Sequence, residues 1–598
     1  MSQDLITNQS LSPSPSSPED SLRLKPTFRY FRRTFHLNTG DSINALKLNL
    51  KRIHIKKLVE VDNYCVEGSD AEKKRLEANK RCLKKKLFKY FTDLHLLYLN
   101  TSDWLEEFKH ARSLIKLSFR PGEDYPASII APYFKRMNKH VENIEFFIED
   151  SSEMEPCDIL RVSKVIRGFP KLKVYKGQTE LSEWKHEFQY LYRHLPKISK
   201  LQDFEYFFPK KSQNPFQELM KEGKIYPKVT KLSVTLGRIP DEEGEENKDS
   251  EVYKKAQVNL LFPNLKALQI KARELDESLY PNFCSSLAQA FEHLPRLEKL
   301  SLKFASYPLS TDFILQGLLK LPLLSSFSFR IESMSSSQGS LLNTFMKAQT
   351  NLVSIHLEIR NSDTEELQEN QFLENFIESL SNRPLLQYLT LNLNSWGVQS
   401  ISEGFKNFQG SDQIKAFHFK IRKFVEFQPM ENPLNTLCDF LLRNKNTLDD
   451  LTLDLAVGPI FEAEIYDSLS MTIAQLTQLQ NFMLAFSLDE NKMANYKFNF
   501  DLKSILFKLG RLQSLVLKLD YLLEFPPESR KWIVECFEVV PLLKNLRRFK
   551  FSVPTESLDQ TERSVIEKGL KGLDHSVNVC IIEPVLYLEI LFGVSELW

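Results

Sequence analysis

The sequence predicts an α/β fold, a solenoid with a curved parallel sheet on the inside and helices on the outside. Three observations predict it. An apolar triplet recurs along the chain, its second and third anchors three and five positions after the first, as in Leu297, Leu300 and Leu302 of LPRLEKLSLKF. The copies keep a regular distance: starts at 229, 265, 297, 324, 352, 386, 414, 448, 479, 512 and 546 make ten steps over 317 residues, about 32 each. Between triplets lie segments whose apolar residues recur at three and four, the spacing of one buried helix face.

Taken in order, residues 1–26 open the chain with six Ser and four Pro between Ser10 and Pro26. So few large apolar residues cannot offset the entropy of ordering, and a disordered tail is expected. Residues 27–93 read as a basic N-terminal cap region. It holds a triplet at Ile43/Leu46/Leu48, alternation over Leu46–Ile55 that suggests a strand, and the basic runs KLNLKRIHIKK, EKKR and KRCLKKK. A solvated helix face and a docking surface for an acidic partner both fit residues 47–92.

The solenoid is expected over residues 94–555. Its first triplets are Leu94/Leu97/Leu99, Leu114/Leu117/Phe119 and Val141/Ile144/Phe146, with weaker copies near Leu172/Val174 and at Leu201/Phe204/Tyr206. Val229/Leu232/Val234 follows, then an acidic insert, Asp241–Glu251, of the kind a surface loop tolerates. Helices are expected at Ser286–His293, Thr311–Leu321, Gln371–Leu380, Pro433–Leu442 and Arg530–Val540. Pro295, Pro322, Pro384 and Pro541 stop such segments before the next strand. A last copy, Val577/Cys580/Ile582, falls in a C-terminal cap, residues 556–598.

The pattern resembles the leucine-rich repeat superfamily over roughly residues 90–555. In repeat length and helix content it is similar to the ribonuclease-inhibitor-like class, which includes the substrate-receiving arms of F-box proteins. The eroded repeats, rich in Phe, Lys and Asn, resemble divergent repeat proteins of ciliates. The family places Asn or Cys three residues after the third anchor. Asn394 fits, whereas Arg273, Ala305, Ala456 and Asp520 do not, so the Asn ladder of regular arrays is not expected. Residues 1–93 hold no convincing F-box.

Composition narrows the function. The chain has 598 residues and a net charge of +1, which gives no general pull toward nucleic acid or membrane. Seven Cys without a C-x-x-C argue against a disulfide framework or zinc site and for reduced thiols. The N-terminus lacks a signal-peptide layout, and no run of about 18 apolar residues predicts a membrane span. A cytoplasmic protein is expected, with the nucleus as the alternative. Nucleotide-binding, kinase, G-x-S-x-G and H-E-x-x-H motifs are absent from the sequence. His356 and His418 fall two repeats apart, too far to share a metal, and Asp449, Asp450 and Asp454 form a small acidic cluster without a recognisable pocket. The expectation is no enzyme, no cofactor and no metal.

Alternate strand residues face opposite sides, so the positions between the anchors line the inner surface. They include Lys231, Lys271, Lys299, Lys303, Arg330, Lys420, Lys518, Arg548 and Lys550, with Glu358, Asp450 and Asp454 as the acidic members and Ser and Thr filling much of the rest. Tyr388 is the only Phe, Tyr or Trp there from residue 229 onward. Lys271, Lys299, Lys303 and Arg330 sit on three consecutive strands whose inner columns hold no acid, so their positive charge is expected to be locally uncompensated. They are the candidate partner-binding residues, and an acidic or phosphorylated protein segment is the expected ligand. A protein-interaction scaffold is the leading reading; a ubiquitin-ligase substrate receptor and an RNA-associated protein are the alternatives.

Overall fold

The computed structural model describes residues 34–36, 57–60, 93–96, 116–119, 141–148, 169, 171–179, 200–208, 225–236, 261–272, 281–304, 311–321, 323–332, 334–360, 372–381, 383–408, 413–425, 433–457, 463–488, 500–518, 534–552, 560–573 and 578–582. The chain divides into two compact units. One holds Met1–Phe147 with Ser151–Leu172, the other Ile148–Asp150 with Lys173–Trp598. The Ser/Pro-rich tail, the strand expected over Leu46–Ile55, most of the basic run 47–92 and the acidic insert lie outside the described residues.

The first unit carries β1 (Thr34–His36), β2 (Lys57–Glu60), β3 (Asp93–Leu96), β4 (Lys116–Phe119) and all but the last residue of β5 (Asn143–Ile148). Each pairs in parallel with the next. The register corrects one expectation. Leu94 and Leu96 align with Leu117 and Phe119, which makes Leu94 a second anchor and not the first of Leu94/Leu97/Leu99. Phe91/Leu94/Leu96 satisfies the same spacing, and only the neighbouring strands decide between the two.

The second unit is a fourteen-stranded, all-parallel sheet that is not closed into a barrel. It begins with β6 (Val174–Thr179), β7 (Asp203–Phe208), β8 (Lys231–Leu236), β9 (Ala267–Ala272) and β10 (Lys299–Phe304). Next come β11 (Ser326–Ile331), β12 (Ser354–Ile359), β13 (Tyr388–Gly397), β14 (Ala416–Val425) and β15 (Asp450–Val457). It ends with β16 (Asn481–Leu488), β17 (Ser514–Lys518), β18 (Arg548–Ser552) and β19 (Asn578–Ile582). Short strands joined in parallel need a crossover, and from β9 onward helices supply it. They are α1 (Pro281–Phe291), α2 (Thr311–Leu318), α3 (Ser336–Ala348), α4 (Phe372–Leu380), α5 (Val398–Asn407), α6 (Pro433–Arg443), α7 (Ala463–Ile473), α8 (Leu502–Lys508) and α9 (Gln560–Lys571). Residues 534–539 are also helical and run into a 3-10 turn, Val540–Leu542.

The first eight helices pack side by side in chain order. A helix is about 10 Å across and a strand spacing about 4.8 Å. The helical layer is therefore the longer one, which fits a solenoid bent toward its sheet. This alternation of strand and helix fits the architecture of leucine-rich repeats.

The anchors are the core. Leu300, Phe327, Ile355, Leu389, Phe417, Leu451, Phe482, Leu515 and Phe549 form one row in register from β10 to β18, all buried. Aromatic contacts join this row to the helices: Phe327 meets Phe345 of α3, and Phe417 meets Phe440 of α6, each pair with ring centres 4.8 Å apart. A further buried row lies one alternate position beyond the triplet, with Phe304, Ile331, Ile359, Leu393, Ile421, Leu455 and Phe486. The triplet alone did not include it.

Two weak copies are also corrected. The second anchor after Leu172 is Tyr175, buried and aligned with Phe204, not Val174. At the C-terminal end, Val579 and Ile581 align with Phe549 and Phe551, one residue away from the expected Cys580 and Ile582. Apolar residues at both 579–580 and 581–582 hide the slip, and a slip of one residue exchanges the faces of a strand.

In place of an Asn ladder, the turns that lead into the strands carry the polar links between repeats. The carbonyl of Lys266 accepts the amides of Glu298 and Lys299, that of Glu298 accepts those of Ser325 and Ser326, and the pattern repeats to Gln513 with Arg547 and Arg548. Buried side chains add ties within a repeat. The amide of Leu324 donates to Gln349 Oε1 at 2.8 Å, and that of Ile414 donates to Asn444 Oδ1 at 3.1 Å. In both cases a residue just after a helix reaches back to the first anchor of its own repeat.

Candidate interaction surface

The face of the sheet opposite the helices carries three columns of side chains. In register from β8 to β15, the first reads Lys231, Ala267, Lys299, Ser326, Ser354, Tyr388, Ala416 and Asp450. The second reads Ser233, Gln269, Ser301, Ser328, His356, Thr390, His418 and Thr452. The third reads Thr235, Lys271, Lys303, Arg330, Glu358, Asn392, Lys420 and Asp454. The columns follow the period of two, because each anchor turned to the core turns its neighbours to this face.

The structure brings all four candidate residues together. Lys271, Lys303 and Arg330 are successive members of the third column, and Lys299 stands two positions before Lys303 on β10. It also corrects the expectation that their charge is locally uncompensated. Lys271 lies 3.7 Å from Glu205 of β7, and Arg330 lies 3.3 Å from Glu358 of β12. The three inner columns of β9–β11 hold no acid, but Glu358 on the adjoining β12 and Glu205 on β7, two strands from β9, reach in, and that proximity needs the register to be seen.

Glu358 is the centre of this network. Its side chain is 9% exposed and that of Arg330 13% exposed. Arg360 donates to Glu358 at 2.8 Å, and His356 Nε2 lies 3.6 Å away. Burial pushes the Glu358 carboxyl up. The adjoining His356, with the positive charges of Arg330 and Lys303, outweighs burial and holds it below the ordinary carboxylate value.

The remaining acids are also engaged. Asp203 pairs with Lys231 at 2.8 Å and Asp454 with Lys420 at 2.5 Å. Asp450 lies 3.1 Å from His418 Nε2 and accepts from Asn481 at 3.3 Å. His356 and His418 are separated by β13, as the spacing predicts. Among the described residues no cluster of His, Cys, Asp or Glu could hold a metal.

From β7 to β12 the columns carry five cations, Lys231, Lys271, Lys299, Lys303 and Arg330, against three carboxylates, Asp203, Glu205 and Glu358. The excess is positive and centres on β10. Lys299 is exposed and has no ion-pair partner among the described residues. A cavity of about 520 Å³ opens on the helical side instead, between α5 and α6, lined by Phe405, Lys406, Thr436, Asp439, Leu442 and Arg443. None of the candidate residues lines it. Among the described residues no helix is long and apolar enough to cross a membrane.

Compared with protein-family models and with curated proteins, the chain matches none.

Proposed function

We propose that the chain is a non-enzymatic interaction scaffold that captures an acidic protein segment on the open face of its sheet, with Lys271, Lys299, Lys303 and Arg330 as the receiving charges. The observation that supports this reading is the excess of cations over carboxylates on β7–β12, with Lys299 exposed and without an ion-pair partner among the described residues. Exposed charges of one sign raise the local concentration of the opposite sign and make association sensitive to salt. Arg330 is paired with Glu358 and Lys271 with Glu205, and both hold the patch in shape, while Lys299, exposed and without an ion-pair partner among the described residues, offers its charge most directly to a ligand.

The test is capture on the intact chain at low and high salt, with bound proteins identified by mass spectrometry and bound RNA assayed in parallel. Reversing Lys299 and Lys303 to Glu, with Arg330 retained, should leave the thermal transition in place and abolish capture of acidic proteins at low salt. Unchanged capture by the double variant overturns the proposal. Capture of RNA alone, or of ubiquitin-ligase adaptors irrespective of these charges, does the same.

A further inference from the structure

The first column holds a second feature. Lys299 and Tyr388 are on the same row, three strands apart, a separation of about 14 Å at the ordinary strand spacing. The row between them is Ser326 and Ser354, and beneath the Lys299 end Ser301 and Ser328 continue in the second column. These four side chains are half-buried, and their hydroxyls bond to no other described residue. Short side chains between two long ones make a trough. Its floor is hydroxyls that can donate or accept, one end is an ammonium, and the other is a tyrosine, Tyr388, that is 44% exposed.

We infer that this trough seats an extended peptide that lies across the strands, with a carboxylate at Lys299 and an aromatic side chain about four residues along, stacked on Tyr388. This rests on the proposed capture of an acidic segment and specifies its pattern. An extended chain advances about 3.3 Å per residue, so a residue on Lys299 and one on Tyr388 are about four apart. The floor suits a peptide backbone, whose amides and carbonyls need partners when they leave water. Tyrosine is a frequent anchor because a large rigid ring buries area at little entropic cost. The anion is a carboxylate and not a phosphate. Lys299 is a single point charge, and the one guanidinium in the inner columns of β9–β12, Arg330, is already held by Glu358.

The experiment is a displayed library of random peptides selected on the intact chain, followed by titration of labelled peptides in which the Glu–Phe spacing runs from adjacent to about eight residues. Selection should enrich Asp or Glu with an aromatic about four positions away, and the titrations should peak at that spacing. Tyr388→Ala should weaken the best peptide about tenfold and remove the preference for the aromatic, and Tyr388→Phe should retain both. Lys299→Glu should shift selection to peptides with Lys in place of the acid. Enrichment of acidic peptides with no spacing preference, together with an unaffected Tyr388→Ala variant, overturns the trough and leaves the acidic-segment proposal standing. A phosphoserine peptide that binds more than tenfold tighter than its Glu counterpart overturns the carboxylate assignment. Failure to enrich any acidic peptide overturns both.

Discussion

Glu358 shows how much a single residue of the open face carries. A carboxylate this buried is costly unless paired, and Arg330, Arg360 and His356 surround it. Its carboxyl is held below the ordinary value of 4.5, so the native state favours the ionised form. That stabilisation is complete above the ordinary value and is lost as the pH falls through the depressed one. Glu358→Gln should therefore flatten the acid limb of the stability profile relative to the parent, measured by urea unfolding from neutral pH to about pH 3. Parallel profiles would mean that the network contributes no pH-dependent stability. The same residue explains why the site was only half legible. Sequence placed Lys271, Lys303 and Arg330 on adjacent strands because the anchor spacing fixes which positions share a column. It did not assign Glu205 and Glu358 as their partners, because each belongs to a repeat outside those three and the pairing needs a register between strands.

Among the elements, the helices pose a conflict between propensity and packing. Gly317 in α2 sits where an added Cβ would come within 2.5 Å of the Ala288 Cα and Cβ atoms in α1. Gly404 in α5 faces instead the tip of Ile377 in α4, at 2.7 Å. Gly in a helix interior costs about 1 kcal/mol relative to Ala, so propensity alone makes both Gly→Ala changes stabilising. Backbone cannot yield as a side-chain tip can. Gly317→Ala should destabilise by about 1–3 kcal/mol, the usual range for overpacking, and Gly404→Ala should be close to neutral. Chemical denaturation of the two variants decides, and equal effects would mean that propensity governs both sites. Such contacts are invisible to periodicity. The capping box of α3, by contrast, is written as Ser335 and Gln338, whose side chains bond reciprocally to the start of the helix, a spacing that could have announced that helix. Strands were read well where Leu, Ile and Phe stand alone at the anchors. Reading failed where apolar residues crowd, at Leu94 and at Val579–Ile582, or where a Tyr takes the anchor, at Tyr175.

Across the second unit, each strand pairs only with the strands before and after it, and the helices follow the same order. Stability in such an array is a sum of repeat and nearest-neighbour terms, so a local defect should stay local. Leu389 is the test. It is 1% exposed in β13, aligned with Ile355 on one side and Phe417 on the other. Leu389→Ala removes a buried side chain from the middle of the row and should cost about 2–5 kcal/mol in the stability of that segment. A single cooperative globule would spread this loss over every protected amide. A quasi-one-dimensional array would confine it, because β8 and β18 share no contact with the altered row and keep their own neighbours. Hydrogen exchange read by mass spectrometry separates the two cases. Exchange should accelerate in peptides that cover β12, β13 and β14, and peptides that cover β8 and β18 should keep the parent's rates. A uniform acceleration along the whole unit would show that its repeats unfold as one body.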